Sequence, residues 1–193
     1  MSAVFQPVQR RLTVEAYHDL ARTGHLGEDD RVELIEGLLI EMAPIGHPHM
    51  TIVNRLNRLL VRAVGDDAVV SVQNPVTLPP FSEPQPDVVL LAPRFIDVSA
   101  GRPGARDVLL LIEVADSSLA YDRGIKCALY AREGIAEFWI VDVGAARIEV
   151  CRRPGSSGYG QHLAFGRGQT VTIEALAAVK VSVDDVFGDL PAG

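Results

Sequence analysis

Residues 107–142, DVLLLIEVADSSLAYDRGIKCALYAREGIAEFWIVD, constrain the fold more than any other stretch of the chain. An apolar run from Val108 to Ile112 is broken by Glu113. A short apolar run beside a turn-rich segment reads as a buried strand. Ser117, Ser118 and Asp122 lead into a helical pattern that continues through Glu133, and Gly134 stops it. Phe138, Trp139, Ile140 and Val141 read as a second buried strand. Strand, helix and strand in these lengths predict a parallel βαβ unit. A carboxylate at the inner end of a core strand is costly to bury unpaired. Glu113 therefore needs a partner from elsewhere in the chain.

The remaining residues bound the setting. A length of 193 favours a single domain over residues 1–193. At 48 % hydrophobic, the chain can bury a core without staples. Cys127 and Cys151 have no metal-ligand spacing and read as small core hydrophobes. That usage fits a reducing, cytoplasmic compartment. The first twelve residues contain no long apolar segment of the kind a signal peptide needs. No apolar run approaches the ~18 residues of a membrane span. A net charge of −7 argues against a non-specific nucleic-acid coat. It leaves a nuclease open, because a metal-binding site is itself acidic.

Thr13 is placed to cap a short helix over residues 14–23, ended by Gly24. After a turn at 27–30, residues 31–36 and 38–42 predict a hairpin joined at Glu36-Gly37. Residues 44–48 read as a loop. Residues 49–64 have the clearest helical period, with Ile52, Val53, Leu56, Leu59, Leu60 and Ala63 as the apolar stripe. The opposite face carries Arg55, Arg58 and Arg62, which read first as a solvated face and second as a phosphate track. Residues 68–73, 75–78 and 87–91 are strand-like, and the four prolines of 79–86 predict an extended loop. Residues 93–106 and 154–160 read as loops. A hairpin return is expected at 147–151, and short strands at 162–165 and 170–173. A last helix over 183–187 follows Ser182.

Two acids stand out. Asp87 opens one apolar strand and Glu113 sits near the end of the next. If the strands are neighbours, both carboxylates point to one side, and both stay ionised only beside positive charge. Hard oxygen ligands of this kind suit Mg²⁺ or Mn²⁺. Lys126 lies in the following helix, four residues after Asp122, and shares a face with Tyr130, while Ile125, Ala128 and Leu129 are expected to face the sheet. A lysine there can orient or deprotonate an attacking water. The plainer reading is an exposed Asp122–Lys126 helix pair.

These residues carry a family resemblance. Glu83-Pro84-Gln85-Pro86-Asp87-Val88-Val89 is followed by Leu111-Ile112-Glu113-Val114-Ala115-Asp116-Ser117-Ser118. Then come Asp122, Lys126 and Tyr130, and the run from Gly134 to Asp142. In that order they resemble the Uma-two family of proposed restriction endonucleases, within the PD-(D/E)XK nuclease superfamily. Arg31 to Gly37, Met42-Ala43-Pro44 and His49 match it as well. The resemblance implies an α/β (α+β) fold, a restriction-endonuclease-like mixed sheet flanked by helices, with an added N-terminal hairpin and C-terminal strands. It implies a metal-dependent endonuclease acting on DNA. Asp87, Glu113 and Lys126 would be catalytic, and the metal would be held by Asp87, Glu113 and the Val114 backbone carbonyl. Glu33, His49, Asp122 and Tyr130 would be accessory. The superfamily lysine usually stands two residues after the acid, where this chain has Ala115. Lys126 matches the family pattern, which places it on the next helix.

Two other readings stay open. One is a catalytically inactive nuclease-fold module for nucleic-acid binding or interaction, favoured by the acidic charge and Ala115. The other is a two-carboxylate glycosidase, ranked last because aromatics are only 6 % and none clusters near the acids. His47 and His49 have the spacing of a zinc pair, but no third ligand is evident. Edge strands of such a sheet offer a homodimer contact.

Overall fold

A computed structural model of the chain describes residues 10–27 and 29–190. The first nine residues of the stretch read for a leader, and residue 28 of the 27–30 turn, lie outside the described residues. The chain divides into two compact units, one from Met1–Ala43 and Thr77–Pro84, the other from Pro44–Val76 and Gln85–Gly193.

In the first unit, α1 (Val14–Arg22) begins where Thr13 caps it, the Thr13 hydroxyl accepting from the Ala16 N–H at 3.2 Å. Strands β1 (Val32–Ile35) and β2 (Leu38–Glu41) form the expected antiparallel hairpin. Its two-residue turn has φ of 51° at Glu36 and 84° at Gly37, the left-handed pair that matches strand twist. Only glycine fits the second position: a Cβ there would sit 2.5 Å from Cβ of Arg11. The returning segment bridges β1 at Leu34↔Glu83. Glu83 is buried and accepts from His18 Nε2 and the Thr77 hydroxyl, each at 2.8 Å.

The second unit is built on a six-stranded sheet. Helix α2 (His47–Val64) precedes β3 (Val69–Val72) and β4 (Val88–Leu91). Then come β5 (Val108–Ala115), β6 (Glu137–Asp142), β7 (Arg147–Gly155) and β8 (Gly158–Phe165), in spatial order β3-β4-β5-β6-β7-β8. Only β5 and β6 are parallel, with Glu113 beside Ile140 and Ala115 beside Asp142. The predicted βαβ unit is that pair. Its crossover runs through α3 (Leu119–Tyr121), a π-helical turn (Asp122–Lys126) and α4 (Cys127–Arg132). A small antiparallel pair, β9 (Thr170–Thr172) with β10 (Lys180–Ser182), and α5 (Val183–Phe187) complete it.

Alternation along the strands loads both faces. Val88, Leu90, Ile112, Val114, Trp139 and Val141 join Ile52, Leu56 and Leu60 of α2 and Phe187 of α5 in one apolar cluster. The other face carries Leu111, Glu113 and Phe138 under α4, where Tyr130 meets Phe138 edge-on at 5.0 Å between ring centroids. Buried Glu137 accepts from Trp139 Nε1 and the Glu174 N–H, each at 2.7 Å, and from Arg152, which ties the C-terminal segment to β6.

Several expectations change. Helix α2 starts at His47, because Pro48 is tolerated in a first turn. Ala63 is exposed and Val64 takes its place in the core. Arg55 donates to the Phe187 carbonyl and is half-buried, so of the three arginines only Arg58 and Arg62 are exposed. Residues 75–78 make only bridges, residues 93–106 fold into 3₁₀ turns, and residues 154–160 continue the β7–β8 hairpin. Ile125 and Ala128 are exposed, while Asp122 and Lys126 are buried.

Candidate active site

Asp87 and Glu113 meet through strand pairing. Strands β4 and β5 are antiparallel with Val88 opposite Ile112, so Asp87 and Glu113 stand one rung beyond, on neighbouring strands. Strand β5 runs on to Ala115, which puts Glu113 inside the strand rather than at its break. Both acids are buried, at 8 % and 4 % exposure.

Asp87 Oδ2 accepts from His49 Nε2 at 3.0 Å and from the Val114 N–H at 2.9 Å, and Gln73 Nε2 reaches Oδ1 at 3.4 Å. A strand residue sends its N–H and carbonyl to the same edge. The Val114 edge of β5 is therefore the one turned to Asp87. On the Glu113 side, Oε1 accepts from Lys126 Nζ at 3.0 Å and from the Tyr130 hydroxyl at 2.7 Å. Lys126 and Tyr130 are one α-helical turn apart and share a face. Both are buried, which excludes the exposed Asp122–Lys126 pair. Asp122 is buried as well and accepts from the Ser118 hydroxyl at 2.5 Å. Glu33 is a buried residue of β1 in the first unit.

His49 reports the local field. Its pKa is raised above 6.5, first by the hydrogen bond to Asp87, then, against the opposing effect of burial, by the charges of Asp87, Asp116 and Asp122. Its Nδ1 is buried without a partner among the described residues. Protonated His49 is thus favoured in the folded state over the unfolded one. The resulting stability is complete below pH 6.5 and is lost as pH rises through the raised pKa. In metal-free protein, the urea midpoint is expected to fall from pH 6 to pH 9, and His49→Asn is expected to flatten that profile. An equally steep profile in the variant would contradict the assignment.

Sequence reasoning missed Gln73, Asp116 and Arg123. Gln73 follows β3 and carried no motif. Asp116 stands directly after β5, inside the run that carries the resemblance but given no role there, and its charge acts on His49. Arg123 lies in the π turn and donates to Glu149 and Asp142. Among the described residues, no three His, Cys, Asp or Glu side chains group as metal ligands, and no helix is long and apolar enough to cross a membrane.

The model of the Uma2 (Uma-two) family, described as "Putative restriction endonuclease", matches residues 14–184. A solved protein from Anabaena variabilis ATCC 29413, titled as a putative nuclease belonging to DUF820, superposes with a TM-score of 0.72 at 17 % identity. The match covers 93 % of this chain and 99 % of that one, and it shows a shared fold. No curated protein matches the chain.

Proposed function

The chain belongs to the Uma2 family, and from that premise we propose that it is a divalent-metal-dependent endonuclease that hydrolyses phosphodiester bonds in DNA. One observation carries this reading. Two buried carboxylates stand opposite each other, one rung beyond the Val88–Ile112 pair of adjacent strands, and a buried lysine is bonded to one of them.

The donor set fits Mg²⁺ or Mn²⁺. Asp87, Glu113 and the Val114 carbonyl are hard oxygen ligands, and Mg²⁺ keeps several waters, so it needs no third acidic side chain. The carboxylates that raise the His49 pKa make this end of the sheet electronegative, which supports a cation there. When bound, the cation would supply Lewis-acid polarisation of a phosphate oxygen and lower the pKa of water. The chain's own residues do the rest. His49 and the Val114 N–H fix the rotamer of Asp87. Tyr130 and Lys126 fix Glu113. The Lys126 ammonium orients the attacking water and offsets charge that develops on the phosphate. A cytoplasmic location is part of the proposal, supported by two buried free thiols.

A second reading has its own observation. The Lys126–Glu113 ion pair already satisfies one acid within the chain, as an inactive nucleic-acid-binding or interaction module would require. The two separate in one experiment on purified protein with plasmid and oligonucleotide DNA. The nuclease reading expects cleavage with Mg²⁺ or Mn²⁺, none with chelator, and none from Asp87→Asn. Intact DNA at millimolar metal, with no calorimetric heat from Mn²⁺, would favour the inactive module.

A further inference from the structure

The crossover between β5 and β6 contains a π-helical turn over Asp122–Lys126, closed where the Cys127 N–H reaches the Asp122 carbonyl five residues back. Such turns are rare and gather at functional sites, because an α-helix hydrogen-bonds better without them. This one needs something to hold it. Its two terminal charged residues, Asp122 and Lys126, are buried, and between them Arg123 turns outward.

Arg123 is exposed, but its guanidinium is engaged with two carboxylates. Its Nε donates to Glu149 Oε2 at 2.9 Å, and its Nη2 donates to Glu149 Oε1 at 2.5 Å and to Asp142 Oδ2 at 2.9 Å. Asp142 is buried, and its Oδ1 accepts from the Ala145 N–H, so the anchor is rigid. Asp142 is also the parallel-strand partner of Ala115, two residues beyond Glu113. Arg147 joins the same two carboxylates, at 3.5 Å from Asp142 and 2.7 Å from Glu149. An isolated exposed pair contributes little, but a bidentate network of four charges with one buried member holds a geometry.

We propose that Arg123 is a positioning residue: its clamp on Asp142 and Glu149 holds the π turn to β6 and β7 and thereby fixes the Lys126 ammonium on Glu113. The value of this for cleavage rests on the nuclease reading, but the positioning itself does not. With the clamp gone, the turn can relax to α-helical phase, which rotates one side against the other by about 100° per shifted residue. Lys126 then samples positions away from Glu113. The arrangement explains how a lysine on a helix serves an acid on a strand when Ala115 offers no amine.

The test compares wild type, Arg123→Gln and Arg123→Lys. Amide hydrogen exchange over residues 123–127 is expected to rise at least about tenfold in Arg123→Gln, with exchange in β5 and β6 unchanged. Arg123→Lys, which keeps the charge, is expected to recover part of that protection. For cleavage, kcat of Arg123→Gln is expected to drop about 10- to 100-fold with KM for DNA unchanged. Wild-type exchange in the turn of Arg123→Gln would overturn the proposal, and so would exchange that rises equally across the whole sheet. If wild type does not cleave DNA, the nuclease reading fails and the exchange data alone decide the role of Arg123.

Discussion

Glu113→Ala is expected to abolish metal-dependent cleavage and to lower folding stability by about 3–5 kcal/mol. Cleavage is lost with the proposed metal ligand, and stability is lost with the buried ion pair. The Glu113 side chain is 5 % exposed, that of Lys126 is 7 % exposed, and the Tyr130 hydroxyl shares the same carboxylate oxygen. Deleting the acid takes from a buried ammonium and a buried phenol the carboxylate oxygen that both bond, and breaking a buried pair from one side is worse than never having built it. Glu113→Gln keeps an acceptor for Tyr130 and is expected to lose less stability than alanine while losing cleavage as fully. Urea unfolding and a plasmid-cleavage assay on the same preparations check both. If Glu113→Ala unfolds at the wild-type midpoint, the ion pair contributes nothing to the fold.

Lys126→Met is expected to reduce turnover by about 10²- to 10⁴-fold, the range for loss of a positioned acid–base group. It also removes the cation that competes for Glu113, so Mn²⁺ affinity should rise. A ligand that binds only the native state stabilises in proportion to the logarithm of its occupancy. Mn²⁺ should therefore raise the melting temperature of Lys126→Met by more than it raises that of wild type. A smaller shift would mean that Lys126 helps to hold the cation site rather than opposing it. Wild-type turnover in the variant would remove Lys126 from the chemistry.

The parts of this site that the sequence made legible are those written in apolar runs. Val108–Ile112 and Phe138–Val141 are buried on both faces and could only be central strands. Asp87 and Glu113 were visible because each interrupts such a run. The hairpin at Glu36-Gly37 followed from turn chemistry, and Thr13 from capping. What stayed hidden depends on angles or distant contacts. An uninterrupted α-helix was expected to turn Ile125 and Ala128 to the sheet. The π turn exposes both and buries Asp122 and Lys126. No composition marks that change of step; Gly124 is the one small residue inside it. Residues 154–160 looked like a loop by composition, yet Pro154 pairs with Tyr159 and Gly155 with Gly158, since a ladder is made by backbone. Arg55 looked solvated until α5 closed over it from the far end of the chain.

The central claim is that Asp87 and Glu113 together hold one divalent cation within reach of Lys126. The most direct measurement is a crystal of the full chain soaked in Mn²⁺, with data collected at the manganese edge. A single anomalous peak bridging the Asp87 and Glu113 carboxylates, on the Val114 carbonyl edge of β5, is the predicted result. Strong anomalous peaks elsewhere with none between these two carboxylates, and Lys126 still bonded to Glu113, would contradict it.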